Sequence, residues 1–95
     1  MKLIKSLADI DYSSANSIVF EGTVIGVLSE GDGDKRPFKF SVKLEESGEL
    51  LNVNSWKFDN LQTVKDLVKS SDVYRFEAVA NTFGNYGQQI RVGNI

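Results

Sequence analysis

Between Arg36 and Trp56 the chain alternates. Phe38, Phe40, Val42 and Leu44 take every second position, and Lys39, Ser41 and Lys43 fill the positions between them. A period of two places the apolar set on one face of a strand and the basic set on the other. The acidic stretch Glu45-Glu46-Ser47-Gly48-Glu49 follows, and Gly48 supplies the positive φ of a tight turn. Leu51 and Val53 then alternate with Asn52, Asn54 and Trp56, which predicts a returning strand paired directly with the first. Leu50 falls out of that register and is expected at a bulge. A slip of one residue would exchange the two faces.

The remaining pattern extends this plan. Residues 1–16 carry Leu3, Ile4, Leu7 and Ile10 at helix-like spacing, which predicts a lead-in, a helical turn or extended, covering the domain. Ser17 to Leu28 is rich in β-branched residues and broken by Gly22 and Gly26, the mark of a long strand that bulges or bends. Ser29 to Lys35 is a polar loop. Its alternating acids lack the twelfth-position glutamate of a calcium-binding EF-hand loop. Asp59 and Gln62 have capping-box spacing, and Leu61, Val64, Leu67 and Val68 fall on one helical face before Ser70-Ser71-Asp72. Val73 to Thr82 and Gln88 to Ile95 read as strands joined through Phe83-Gly84-Asn85-Tyr86-Gly87.

The order is therefore three strands, a helix and two strands, all antiparallel. That is the plan of an all-β, five-stranded Greek-key barrel of the oligonucleotide/oligosaccharide-binding (OB) type, with its helix between strands 3 and 4. Ninety-five residues make a single domain, 1–95, without an internal repeat or a linker.

Composition narrows the chemistry. The chain has no cysteine and no histidine. Disulfides, thiolate chemistry, Ser–His catalysis and a typical zinc site are closed off, so no catalytic residue, metal or cofactor is assigned. No apolar run spans a bilayer, and Lys5, Asp9 and Asp11 interrupt any apolar signal core, so a cytoplasmic protein off the membrane is expected. The net charge of −2 is unlike that of a typical nucleic-acid binder, but Lys35, Arg36, Lys39 and Lys43 fall together.

The run Val19-x-x-Gly22-x-Val24, then Pro37-Phe38-x-Phe40-x-Val42-x-Leu44-x-x-x-Gly48-x-Leu50 and Trp56, resembles OB domains of the tRNA-anticodon-binding type. It is similar to the OB domain of bacterial 3′-to-5′ exoribonucleases. Ile4-Lys5-Ser6-Leu7 resembles the lead-in of that group, and Asp72 to Ala78 its fourth strand. The resemblance implies a ligand lying across strands 2 and 3, flanked by the loops joining strands 1–2 and 4–5. On that surface alternation puts Lys39, Ser41, Lys43, Asn52, Asn54 and Trp56. Arg36 comes from the first loop, Phe83 and Tyr86 from the second, and Gln89 and Arg91 from the last strand. Aromatic rings would stack on bases, lysines and arginines would meet phosphates, and amides would reach base edges. Each group also has a plainer use. Trp56 can pack at the core rim, Phe83 and Tyr86 can cover the barrel end, and the lysines can be solvated charges pairing with Glu49 or Asp72.

The expectation is a non-catalytic module for single-stranded DNA or RNA, of modest affinity and little sequence preference, working beside other domains of a nucleic-acid-processing protein. The alternative is a protein-interaction or assembly module that has kept the barrel without nucleic acid.

Overall fold

The computed structural model describes residues 1–33 and 35–95. Six strands form one sheet: β1 (Lys2–Ile4), β2 (Asn16–Ser29), β3 (Phe38–Leu44), β4 (Leu50–Ser55), β5 (Tyr74–Thr82) and β6 (Gln88–Asn94). A single α-helix, α1 (Leu61–Ser70), lies between β4 and β5. The five expected strands are β2 to β6. They close into a barrel in the order β2-β3-β4-β6-β5, because β2 also pairs with β5.

One strand closes the barrel by belonging to two neighbours. The first half of β2 pairs with β5 from Asn16↔Ala80 to Gly22↔Tyr74, and its second half pairs with β3 from Gly22↔Leu44 to Ser29↔Lys39. Gly22 is the residue shared by both ladders. A Cβ there would lie 2.3 Å from the Lys43 carbonyl oxygen and 2.7 Å from a Val42 methyl, so only glycine allows that approach. Register shifts between Val24 and Gly26 and between Val27 and Ser29 bend the strand further; Gly26 marks the first of them.

Closure is not wholly antiparallel. β4 and β6 run parallel and meet at Asn54↔Arg91, and β1 runs parallel to β2. The expectation of antiparallel strands throughout is corrected here: α1 returns the chain over the barrel, so a crossover separates β4 from the hairpin that ends in β6.

The inward residues form the core predicted from alternation. Phe38, Phe40, Val42 and Leu44 are buried, with Leu51 and Val53 opposite them. Phe58, Phe38, Phe40, Phe76 and Phe20 follow one another with ring centroids 5.3 to 6.1 Å apart. Pairs at that spacing each add about 0.5–1.5 kcal/mol beyond burial. Val64 and Leu67 bury the apolar stripe of α1 in the same core, and Leu61 and Val68 flank them.

Three local expectations are corrected. Leu50 is in register with Lys43 and 57% exposed, so no bulge lies there; it simply faces outward beside a lysine. Asp59 caps nothing, because a 3₁₀ turn, Phe58–Asn60, precedes the helix and makes Asn60 the residue before its first turn. Asn60 instead donates to the Gly93 carbonyl, tying the helix start to β6, and Gln62 donates to Asp66 along the helix. The lead-in contributes one fully buried residue, Ile4, while Leu3 on β1 and Leu7 in the turn that follows stay 40% exposed and do not lie against the core. A 3₁₀ turn at Leu7–Asp9 follows it. The Asp9 carboxylate accepts the Lys5 and Ser6 N–H groups, which hold it below the usual carboxylate range.

Candidate functional site

Two loops and three strands converge at one end of the barrel. The turn after β2 is shaped by Asp32, whose Oδ1 accepts the N–H groups of Lys35 (2.7 Å) and Arg36 (2.8 Å). Its other oxygen lies 3.5 Å from Arg36 Nε. The third acid of this loop, Asp34, lies outside the described residues. The β5–β6 connection is a 3₁₀ turn, Gly84–Tyr86, closed by the Phe83 N–H donating to the Gly87 carbonyl at 2.9 Å. Positive φ at Gly84 and Gly87 makes so short a turn possible.

Between these loops lies a cleft of ≈ 400 Å³ lined by Ser29, Lys35, Arg36, Pro37, Lys39, Trp56, Tyr86, Gln89 and Arg91. A second, more open hollow of ≈ 300 Å³ adjoins it, with Asn52, Asn54, Gln88 and Leu28 among its walls. Lys39, Tyr86 and Gln89 border both, so the two form one continuous groove. Volumes of this order are those of small-ligand sites, about 300–1,000 Å³.

The electrostatics of the larger cleft are one-sided. Lys35, Arg36, Lys39 and Arg91 line it, and none of its described lining residues is acidic. Among the described residues Asp32 offsets Arg36, beside it, and no other ion pair involves a cation of the cleft. The Arg91 guanidinium is held from two directions, 3.6 Å above the Phe83 ring and with Nε donating to Gln89 Oε1 at 3.4 Å. Stacking over an aromatic face fixes the plane of a guanidinium and leaves its N–H edge to other partners.

Eight of the eleven expected residues therefore line the groove: Arg36, Lys39, Asn52, Asn54, Trp56, Tyr86, Gln89 and Arg91. Trp56 is 42% exposed and Tyr86 80% exposed, so both offer ring faces to solvent. Phe83 lies behind the groove as the support of Arg91. Lys43 is exposed but sits at the far end of β3, beside the hairpin turn at Gly48. Neither Lys39 nor Lys43 forms an ion pair among the described residues.

Two outward positions are not open to solvent. Ser41 is 7% exposed and Asn54 6% exposed. Ser41 is a short side chain between Gly26 and Asn52 on neighbouring strands, with Lys39 and Lys43 before and after it. Asn54 is covered because it pairs with Lys39 on one side and Arg91 on the other. Alternation gives the direction of a side chain but not the height of its neighbours.

Sequence reasoning missed seven lining residues: Leu28, Ser29, Lys35, Pro37 and Gln88, and the core residues Val53 and Ile90. Lys35 was visible in the basic run, and Gln88 stands one residue from Gln89. Pro37 could be placed only through the loop. Leu28 had no signal, since the register shift beside it turns a residue that reads as core to 58% exposure. In comparisons with known proteins no family model matches the chain, and neither a curated protein nor a solved structure matches it at a significant level.

Proposed function

We propose that the groove binds single-stranded nucleic acid, as a module without chemistry of its own and with little sequence preference. The observation that carries this reading is the cleft lining: four cations and two exposed aromatic rings, with no acid among the described lining residues, on a chain of net charge −2. A single strand presents charge on its backbone and π faces on its bases, so a groove that holds both kinds of partner side by side suits it. Lys35, Arg36 and Lys39 would meet phosphates. Trp56 and Tyr86 would stack on bases, and Asn52, Gln88 and Gln89 would donate or accept at base edges.

Support by analogy comes from the barrel plan. In OB-type barrels the ligand crosses the second and third strands between the first and last hairpin loops, and here those are β3, β4 and the loops at 30–37 and 83–87. The likeness of residues 19–56 to the tRNA-anticodon-binding type fits that placement and adds nothing about the natural ligand.

Trp56 is the only tryptophan and stands in the cleft, so its fluorescence reports directly on occupancy. Titration with oligo-dT and oligo-rU should give saturable quenching that weakens between about 50 and 200 mM salt. A flat titration at low salt, with the domain shown to be folded, would remove the reading and turn attention to protein partners.

A further inference from the structure

We infer that Arg91 is the fixed clamp of the groove, binding one phosphate of the strand through both of its terminal amino groups, and that Phe83 is the positioning residue that holds it for that task. The inference rests on the nucleic-acid reading of the groove, and it gives Phe83 a role other than stacking on a base.

The backbone of Arg91 is held on both sides. It pairs with Val79 of β5, and its bridge to Asn54 joins β6 to β4. A side chain carried by a strand inside a closed sheet is placed more precisely than one carried by a loop. Lys35 and Arg36 stand in the β2–β3 loop, and the Arg36 side chain is 79% exposed and faces Asp32. Lys39 is also on a strand, but an ammonium is a point charge on a flexible stem.

The side chain of Arg91 is held as well. Its guanidinium carbon lies 3.6 Å from the centre of the Phe83 ring, and Nε donates to Gln89 Oε1 at 3.4 Å. The ring covers one face of the guanidinium, and Gln89 takes the Nε–H. Nη1 and Nη2 have no hydrogen-bond or ion-pair partner among the described residues. Neither is buried, because Asn54 Oδ1 is the one buried side-chain nitrogen or oxygen without a partner among those residues. Both therefore reach solvent, at a residue that lines the cleft. What stays open is the end of the fork, two parallel N–H groups in one plane, and the two unesterified oxygens of a phosphodiester match it.

Phe83 lines neither the cleft nor the hollow, and the guanidinium occupies a face of its ring. It serves the strand by keeping Arg91 in one orientation before binding. An arginine without that support would lose its rotamer freedom only when the phosphate arrives, at a cost in affinity.

The test is anisotropy of a labelled thymidine octamer across a salt series. Arg91→Lys keeps the charge and loses the fork, so affinity should fall about fivefold with the salt slope unchanged. Arg91→Met removes the charge, keeps a chain over the ring, and should make the slope shallower by about 0.7. Phe83→Leu should weaken binding about two- to fivefold at constant slope, and Phe83→Tyr, which keeps the ring, should restore it. In the Arg91→Met background Phe83→Leu should cost less than about 1.5-fold more, since the two act as one unit. Positioning is also read without a variant: in the free protein the ¹⁵N side-chain resonances of Arg91 should show slower guanidinium rotation than those of the exposed Arg75. Full affinity in Arg91→Lys would overturn the clamp. A Phe83→Leu cost that persists in Arg91→Met, or an Arg91 as mobile as Arg75, would overturn the positioning role. No binding by the unaltered protein would remove the nucleic-acid reading and the clamp with it.

Discussion

Lys39 and Lys43 look equivalent in the alternating strand, and the structure separates them. Lys39 borders both parts of the groove, whereas Lys43 lies four residues further along β3. At about 3.3 Å per residue that is roughly 13 Å, beyond the Debye length of about 8 Å at physiological salt. Four cations line the cleft, and Asp32 partly offsets Arg36, so three to four charges are available to phosphates. For a single strand log K should then fall with log salt at a slope of about −2.1 to −2.8, a loss of about 20- to 50-fold between 50 and 200 mM. Lys39→Ala should make the slope shallower by about 0.7, reducing that loss to about 7- to 20-fold. Lys43→Ala should leave the slope where it was. The assay is a salt series of Trp56 quenching or anisotropy on the protein and both variants. If the two alanines shift the slope equally, or neither shifts it, the assignment of the cleft as the phosphate track is wrong.

Gly22→Ala places a methyl 2.3 Å from a backbone carbonyl at the point where β2 leaves one ladder for the other. Overpacking against backbone should destabilise the domain by about 3 kcal/mol, read as a lowered urea midpoint with the m-value retained. Asp9 has a carboxylate pKa lowered by the Lys5 and Ser6 N–H groups, so its contribution is present at neutral pH and lost as pH falls through that lowered value. The urea midpoint should therefore begin to drop only as pH nears the ordinary carboxylate value and go on dropping through the lowered one, and Asp9→Asn should remove that part of the drop. A variant with the same acid limb as the unaltered protein would show that the bonds to Asp9 do not stabilise the turn.

The barrel was legible because its signals are periodic and local. Phe38 to Leu44 names its own face, and the helical stripe of α1 and the glycines of β2 and both hairpins mark where the chain turns. What could not be read depends on partners far away in the chain. The parallel meeting of Asn54 with Arg91, 37 residues apart by number, closes the barrel and buries an amide that alternation sends outward. Leu28 is exposed by a register shift that no residue type announces. Phe83 reads as a free aromatic at a turn, yet its ring is used by an arginine eight residues on. The site was therefore legible as a set of residue types on one face. Its division into a cationic cleft and an amide hollow was not.

Part of the chain's acidic balance lies far from the cleft, although Glu30 and Asp32 stand in the β2–β3 loop beside it. Glu45 and Glu46 occupy the β3–β4 turn; Glu46 pairs weakly with Lys5 at 3.9 Å, and Glu49 there accepts the Leu7 N–H. Glu45 lies six positions along the chain from Lys39, roughly 20 Å at strand spacing. Two unit charges at that distance interact by about 0.2 kcal/mol in water, and screening at 0.15 M reduces this below a tenth of its value. Reversing Glu45 and Glu46 to lysine changes the local charge by four units and should alter affinity for a single strand in the cleft by less than about twofold at 0.15 M. At 0.01 M the Debye length is about 30 Å, and the same variant should bind about tenfold more tightly. Glu49 is left in place because it holds the N-terminal segment. A tenfold gain already present at 0.15 M would mean that the strand runs past Lys43 to the hairpin, and that the groove is only part of its path.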